Sequence, residues 1–375
     1  MKILRTLLVL SGLSWLAGCA SIGPPEAPSL ELPKPPTDLK AERKGDKVTL
    51  TWTIPSRTME RQTVRYLGKT EICRGIGNSL KKCDSPAGEV AAPPDFEKAR
   101  NTSSKKLAAS FTDTLSPAFE QEHPTEFASY AVEVLNTAGR GAGISNQVRV
   151  ALVSTLPPFG DFTLLAVDQG VRVSWHCPEA PVASSTTKYL FRIYRRLESS
   201  ASWNKLTDTE ATGCAFSVSG TDRDKNSVIT SFLDDSIEWE KSYRYRGSVV
   251  SVLQVSGKPS AEVEGDDTPE VKIFAHDVFP PAVPAGLQAV FSGPGQQPFI
   301  DLIWTPVSDA DLAGYNVYRH EPGAAPLKLN AELVRTPAFR DAQVVAGKTY
   351  SYSVSAVDER DNESARSDEA AERVP

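Results

Sequence analysis

The sequence predicts an all-β chain of three tandem sandwiches, preceded by a cleavable leader and a proline-rich tether. Three observations carry this. A strictly alternating segment ending in tryptophan occurs three times: Val48-Thr49-Leu50-Thr51-Trp52, Val171-Arg172-Val173-Ser174-Trp175 and Ile300-Asp301-Leu302-Ile303-Trp304. Such alternation marks a half-buried strand, so Val48, Leu50 and Trp52 share one face. The tryptophans are 123 and 129 residues apart, a spacing that fits one sandwich per repeat. Proline clusters precede each segment, at Pro35-Pro36, Pro157-Pro158 and Pro280-Pro281. They mark linkers or first strands at sheet edges.

At the N-terminus, Lys2 and Arg5 precede an apolar run from Leu7 to Leu16. This is a positive n-region and a short h-region. It falls short of the ~20 residues a spanning helix needs, and no other stretch reaches that length. The run ends in Leu16-Ala17-Gly18-Cys19, which resembles the bacterial lipobox. The resemblance implies a leader over 1–18 and a mature chain beginning at a Cys19 carrying diacylglycerol and palmitate. An ordinary secretory signal with a chance cysteine is the alternative. Two or more acyl chains give stable anchoring where one is marginal. Ala20, where aspartate is absent, points by analogy with Gram-negative sorting to the outer membrane. Residues 19–33, with Pro24, Pro25, Pro28 and Pro33, read as an extended polyproline-like tether.

Three units follow, at 34–154, 155–277 and 278–375, and other features recur in them in fixed order. A second strand carries Ile72-Cys73-Arg74, Ile193-Tyr194-Arg195 and Val317-Tyr318-Arg319. A Phe-x-Asp follows at Phe111–Asp113, Phe232–Asp234 and Phe339–Asp341, then an aromatic strand starting at Tyr130, Tyr243 and Tyr350. This ordered set resembles the fibronectin type III domain, an immunoglobulin-like antiparallel sandwich. The resemblance implies that Trp52, Trp175 and Trp304 are core residues of the second strand and that Tyr350 is a tyrosine corner. The third unit matches best. The first departs most, having no clear corner tyrosine. From Cys73 to Phe111 is 38 residues, as is Tyr194 to Phe232, whereas Tyr318 to Phe339 is 21. Units one and two therefore carry insertions, expected as hairpins or loops, where function tends to sit on a rigid scaffold or where length simply drifts.

With Cys19 acylated, Cys73, Cys83, Cys177 and Cys214 remain. Export to an oxidising compartment favours disulfides. Four cysteines allow three connectivities, and the division into units favours Cys73–Cys83 and Cys177–Cys214. Alternation places Cys73 outward, opposite Ile72. A metal or redox site is the rival, but CxxC spacing is absent and only His176 adjoins a cysteine.

Two surface constellations stand out. If Tyr189, Phe191 and Ile193 face the core, Arg192, Tyr194 and Arg196 face out, beside Arg244 and Arg246 on the neighbouring strand. Arginine and tyrosine are enriched in binding hot spots, although a solvated face with compensating acids is the plainer reading. In unit three, Asp309, Asp311, Asp358, Asp361 and Glu363 lie in two loops expected at one pole, a set of hard oxygens suited to Ca²⁺. Ordinary turn chemistry is the plainer reading there as well.

The chain has 375 residues and a net charge of -6. Without the leader it carries 39 basic against 47 acidic residues, a net charge of -8. That argues against a nucleic-acid binder, which needs a basic face, and leaves membrane attachment to the acyl chains. HExxH, Gly-x-Ser-x-Gly and phosphate-loop motifs are absent, so no cofactor and no enzymatic activity are expected. The expectation is an anchored cell-envelope spacer or protein-binding module. The alternatives are a polysaccharide-binding accessory of a secreted hydrolase system, or a subunit of an envelope assembly. Trp203 and Trp239, outside the core set, are the first candidates for a sugar platform.

Overall fold

Side chains of alternating polarity, closed by short turns, produce three antiparallel sandwiches in the computed structural model. The structure describes residues 30–375 apart from 78, 85, 95, 103–105, 178–185, 211–228, 255–259 and 293–296. Cys19, the leader and most of the tether lie outside the described residues. The chain divides into two compact units, Met1–Ser154 and Thr155–Pro375. The first holds one sandwich and the second holds two.

Sandwich 1 is built from β1 (Lys40–Lys44), β2 (Lys47–Thr53), β3 (Thr70–Ile76), β4 (Pro86–Val90), β5 (Ala108–Thr114), β6 (Phe127–Val134) and β7 (Val148–Ala151). β1, β2 and β5 form one sheet, and β4-β3-β6-β7 form the other. Two short helices interrupt the all-β pattern, α1 (Phe96–Thr102) inside the insertion and α2 (Pro117–Glu122) between β5 and β6. The helix in the insertion corrects the expectation of a plain hairpin or loop. Ser116 caps α2 by accepting from the Phe119 N–H, and Pro117 starts it, a sequence-local reason for a helix there.

Sandwich 2 comprises β8 (Gly160–Val167), β9 (Gly170–His176), β10 (Thr187–Leu197), β11 (Asn204–Glu210), β12 (Ile229–Asp234), β13 (Lys241–Leu253), β14 (Ala261–Asp267) and β15 (Val271–Ala275). Its sheets are β8-β9-β12 and β11-β10-β13. The long β13 pairs with β15 along its first half and β14 along its second. Pro269, lacking an amide N–H, falls at the break between them. Sandwich 3 comprises β16 (Ala285–Ser292), β17 (Phe299–Thr305), β18 (Leu312–His320), β19 (Leu327–Lys328), β20 (Ala338–Asp341), β21 (Thr349–Asp358) and β22 (Ala370–Arg373), in sheets β16-β17-β20 and β19-β18-β21-β22. In each sandwich the first, second and fifth positions pair in one sheet, and the rest pair in the other. This is the fibronectin type III-like strand order.

The repeated tryptophans fill the cores: Trp52, Trp175 and Trp304 are all buried. Trp175 stacks edge-on with Phe191, and Trp304 with Tyr315. The other repeated motifs meet one another. In sandwich 1, Arg74 donates to Asp113 at 2.7 Å and the Tyr130 hydroxyl donates to the same carboxylate at 2.7 Å. In sandwich 2, Arg195 and Tyr245 converge on Asp234 at 2.8 and 2.7 Å. In sandwich 3, Arg319 and Tyr352 converge on Asp341 at 2.7 and 2.9 Å. All three carboxylates and all three tyrosines are buried. Burial, together with the adjacent carboxylate, pushes each tyrosine hydroxyl far above its ordinary range.

Tyr350 forms the expected corner: its hydroxyl accepts from the Val345 N–H at 3.2 Å, across a turn where Gly347 takes φ +85°, the left-handed region open to glycine. Tyr243 repeats the arrangement, accepting from the Glu238 N–H at 2.8 Å. Sandwich 1 has no corner tyrosine. There the ring of Phe119, on α2, lies under the Arg74 guanidinium at 4.9 Å, as Tyr243 and Tyr350 lie under Arg195 and Arg319 at 5.1 and 4.9 Å.

Candidate functional site

The Arg/Tyr stripe of sandwich 2 forms as expected. On β10 and β13, Tyr194 stands opposite Arg246, and Arg196 opposite Arg244. The strand period of two puts them on the outer face, because Phe191 and Ile193 are buried. The stripe is not a free cationic surface. Arg192 pairs with Asp208 at 2.7 Å, Glu262 at 3.1 Å and Glu264 at 3.2 Å. Arg196 pairs with Glu270 at 3.1 Å. Arg244 pairs with Glu198 at 2.7 Å, and Arg246 with Asp267 at 3.0 Å. Tyr194 donates to Glu264 at 2.9 Å. Burial and that carboxylate push its hydroxyl up to about 12. Hydrogen bonds from Arg192 hold Asp208 below the usual carboxylate range, and those from Arg244 do the same for Glu198. The result is a charge-balanced ladder across four strands.

Trp203 belongs to this ladder. Its ring lies beneath the guanidinium carbons of Arg246 at 4.4 Å and Arg196 at 5.0 Å, so cations already occupy it. Trp239 is not a platform either: it packs against the sandwich 2 core and against Phe279 at 5.8 Å. Its neighbours are the apolar residues at the start of the linker to sandwich 3.

At the acidic pole of sandwich 3 the structure brings together part of the expected Ca²⁺ set. Asp311 and Asp358 do approach one another, but their third partner is Asp277 from the linker, with carboxylate oxygens within 4.8 Å. Sequence reading missed Asp277, which lies 34 residues upstream of Asp311 with no loop motif to mark it. Asp309 instead accepts from the Ala282 N–H at 2.6 Å. Asp361 is exposed at a turn position with φ +65°, a conformation aspartate tolerates. Glu363 accepts from Tyr318 at 2.6 Å and from Ser355. Asp358 accepts from the Arg360 and Asn362 backbone N–H groups at 2.8 and 2.9 Å, which is turn chemistry. Positive charge comes from the chain itself. Arg360 reaches Asp277 at 3.2 Å and Asp311 at 3.8 Å. Asp277, Asp311 and Asp358 are the carboxylates that could share a cation, and Arg360 stands against two of them.

These contacts brace the junction between sandwiches 2 and 3. Asn362 donates to the Asp277 carbonyl at 3.3 Å. Glu240 accepts from the Asp277 N–H at 3.2 Å and lies 2.8 Å from His276 Nδ1. The linker is thereby tied to the loop before β13 and to the loop after β21.

Cys73 and Cys83 form a disulfide with Cα atoms 5.1 Å apart. Cys73 does not face solvent as alternation predicts. It is 1% exposed, although β3 keeps its alternation in unbroken register with β6; the bridge ties it to Cys83 in the insertion. Cys214 lies outside the described residues, and with it the expected Cys177–Cys214 pairing. Among the described residues no helix is long and apolar enough to cross a membrane.

Sandwich 1 holds a feature with no counterpart in the sequence reading. A cleft of about 520 Å³ opens where residues 34–38, the end of β2 and the insertion meet. Lys34, Arg57 and Lys106 line it, together with Pro35, Pro36, Ile54, Phe96 and Leu107. No short motif signals it, because its walls come from three separate stretches.

Comparison with known protein families finds no match. A 130-residue stretch is 32% identical to an amylopullulanase of Thermoanaerobacterium saccharolyticum, covering 35% of this chain and 9% of that protein. The chain therefore spans less than a tenth of that relative. Among solved structures, the chain is similar to the FN1–FN3 domains of chicken CNTN1, at 14% identity and a TM-score of 0.24 over 91% of this chain and 99% of the other. It is also similar to an Fn3-like protein from Clostridium thermocellum, at 30% identity and a TM-score of 0.23 over 26% of this chain and 96% of the other.

Proposed function

We propose that this protein is a non-enzymatic cell-envelope lipoprotein, held by acylated Cys19, that serves as a spacer and protein-binding module. The observation that best supports a spacer is the braced junction. Glu240 from sandwich 2, and Arg360 and Asn362 from sandwich 3, hold Asp277 of the linker between them. A chain of freely hinged domains would need none of these contacts. The Leu16-Ala17-Gly18-Cys19 motif supports the anchor, and Ala20 supports the outer membrane. Expression of the full chain and of Cys19→Ala in a Gram-negative host tests this. The intact protein partitions with outer-membrane vesicles and takes up labelled palmitate, whereas Cys19→Ala is soluble and unlabelled. Label-free protein in the soluble fraction, from the unmodified chain, would overturn the anchor.

A second reading, an accessory protein that binds polysaccharide, is favoured by the resemblance to an amylopullulanase. The occupied face of Trp203 and the packed position of Trp239 count against it. Retention of the protein on insoluble starch would favour it.

A further inference from the structure

The cleft of sandwich 1 differs from every other charged surface described above. Its walls are fixed by backbone pairing. The Lys34 N–H donates to the Arg57 carbonyl at 2.9 Å, Met59 donates to Leu32 at 3.0 Å, and Ile54 donates to Leu107 at 2.9 Å. These bonds pin the segment before β1, the segment after β2 and the end of the insertion to one another. Its floor is apolar. Ile54, Val64 and Phe96 form a small buried cluster with Leu67 and Leu107 packed against it, separate from the main core.

Its rim is cationic. Lys34, Arg57 and Lys106 are exposed, and among the described residues none makes an ion pair. Arg57 donates only to the Arg61 carbonyl at 3.1 Å and to Thr63 at 3.4 Å. The single carboxylate in the lining, Asp38, is engaged by Thr53, through its N–H at 3.1 Å and its hydroxyl at 2.6 Å. Those hydrogen bonds, with Lys106 contributing, hold Asp38 below the usual carboxylate range. Three cations against one satisfied acid leave the cleft net positive in a chain that is net negative. The arginines of the sandwich 2 ladder, by contrast, are matched by acids.

We infer that this cleft binds an acidic, apolar-bearing peptide segment of a partner protein. The volume lies within the range of ligand-binding clefts. Carboxylates of the segment would meet Lys34, Arg57 and Lys106, while an intervening apolar side chain would rest on the half-buried Pro35 and Leu107. A glycan is the poorer fit, because the only aromatic ring in the lining, Phe96, is buried and offers no stacking face. The inference deepens the binding-module half of the reading above and does not depend on the Cys19 anchor.

Fluorescence anisotropy tests it on the full mature chain, using a labelled short peptide that alternates glutamate with leucine. The expected result is saturable binding that weakens as salt rises and falls about tenfold or more in Arg57→Glu/Lys106→Glu. A matched peptide of glutamine and leucine would bind at least about tenfold more weakly. The substituted positions are exposed, so an unchanged melting temperature confirms the fold of the variant. Equal binding of the glutamine peptide, or full binding by the charge-reversed variant, would overturn the proposal. So would displacement of the peptide by polygalacturonate at lower concentration than by unlabelled peptide, which would assign the cleft to an acidic glycan. If the variant loses the peptide yet still captures an envelope protein, the cleft and the wider module reading are separated.

Discussion

Sandwiches 1 and 3 solve the same packing problem with different parts. Each buries an arginine–aspartate pair capped by a tyrosine hydroxyl, Arg74–Asp113–Tyr130 in one and Arg319–Asp341–Tyr352 in the other. Each guanidinium also needs an aromatic ring over its open face. Sandwich 3 supplies Tyr350, two residues before Tyr352 on the same strand. Sandwich 1 has Ala128 at that position and supplies Phe119 from α2 instead. The carboxylate and its two donors are common to both, whereas the ring comes from whichever element is within reach. The charged centre is therefore the constrained feature and the corner is replaceable.

The largest test breaks the centre. Asp341→Ala would leave Arg319 and the Tyr352 hydroxyl buried without their acceptor. Removing one partner of a buried pair costs about 3–5 kcal/mol. Sandwich 3 of the full chain is expected to melt as a separate, earlier calorimetric transition, and Asp113→Ala to do the same for sandwich 1. Equal and small effects at both would mean that the carboxylates are dispensable.

The next effect is alkaline. The tyrosines at 130, 245 and 352 have hydroxyls raised by burial, then by the neighbouring carboxylate. A raised value means the neutral form is favoured in the fold. Its contribution is complete below the unfolded value near 10 and is lost as pH rises above it, at about 1.4 kcal/mol per pH unit for each tyrosine. Melting temperatures are expected to fall steeply above pH 10. Tyr352→Phe should remove that slope from sandwich 3 alone, at a cost of about 1 kcal/mol at neutral pH. An unchanged slope would show that another group controls alkaline unfolding.

Smaller still is the difference between the two corners. Phe119→Ala removes a half-buried ring, at about 2 kcal/mol. Tyr350→Phe keeps the ring over Arg319 and loses only the bond from the Val345 N–H, about 1 kcal/mol. Urea midpoints followed by proteolysis of each sandwich would rank them. A larger loss for Tyr350→Phe would make the hydroxyl, rather than the ring, the important part of the corner.

Much of this was visible in the one-dimensional pattern. The alternation around Trp52, Trp175 and Trp304, the Ile-x-Arg and Phe-x-Asp repeats, and the corner at Tyr350 all lie within single strands, where side-chain period determines direction. Their mutual contacts were not visible, since Arg74 and Asp113 are brought together only by the facing of two sheets. The Arg192–Arg246 stripe was legible for the same reason as the cores. The acids that neutralise it come from separate stretches, Glu198 just after β10, Asp208 on β11, and Glu262, Glu264, Asp267 and Glu270 on or just after β14, and join through strand pairing. Asp277 and the cleft residues were illegible because they belong to linkers and an insertion, where no periodicity reports direction. The burial of Cys73 was illegible because alternation reports a side chain's direction, not whether an insertion tied to it by a disulfide covers it.

The smallest expected effect on stability concerns the junction within the second unit. Arg360 is partly exposed although its partner Asp277 is buried, and with one side in solvent the pair contributes about 1 kcal/mol, so Arg360→Gln should shift the melting of sandwiches 2 and 3 only slightly. Its effect should fall on geometry. Without the guanidinium, Asp277, Asp311 and Asp358 are left facing one another with oxygens within 4.8 Å, and like charges at that range repel. Small-angle scattering of the full chain should show a broader distribution of maximum dimension in Arg360→Gln. Raising salt should narrow it again by screening the carboxylates. A profile identical to that of the unsubstituted protein at both salt concentrations would show that Asn362, Glu240 and the Ala282–Asp309 bond suffice to hold the junction, and that Arg360 serves only to neutralise the acids around it.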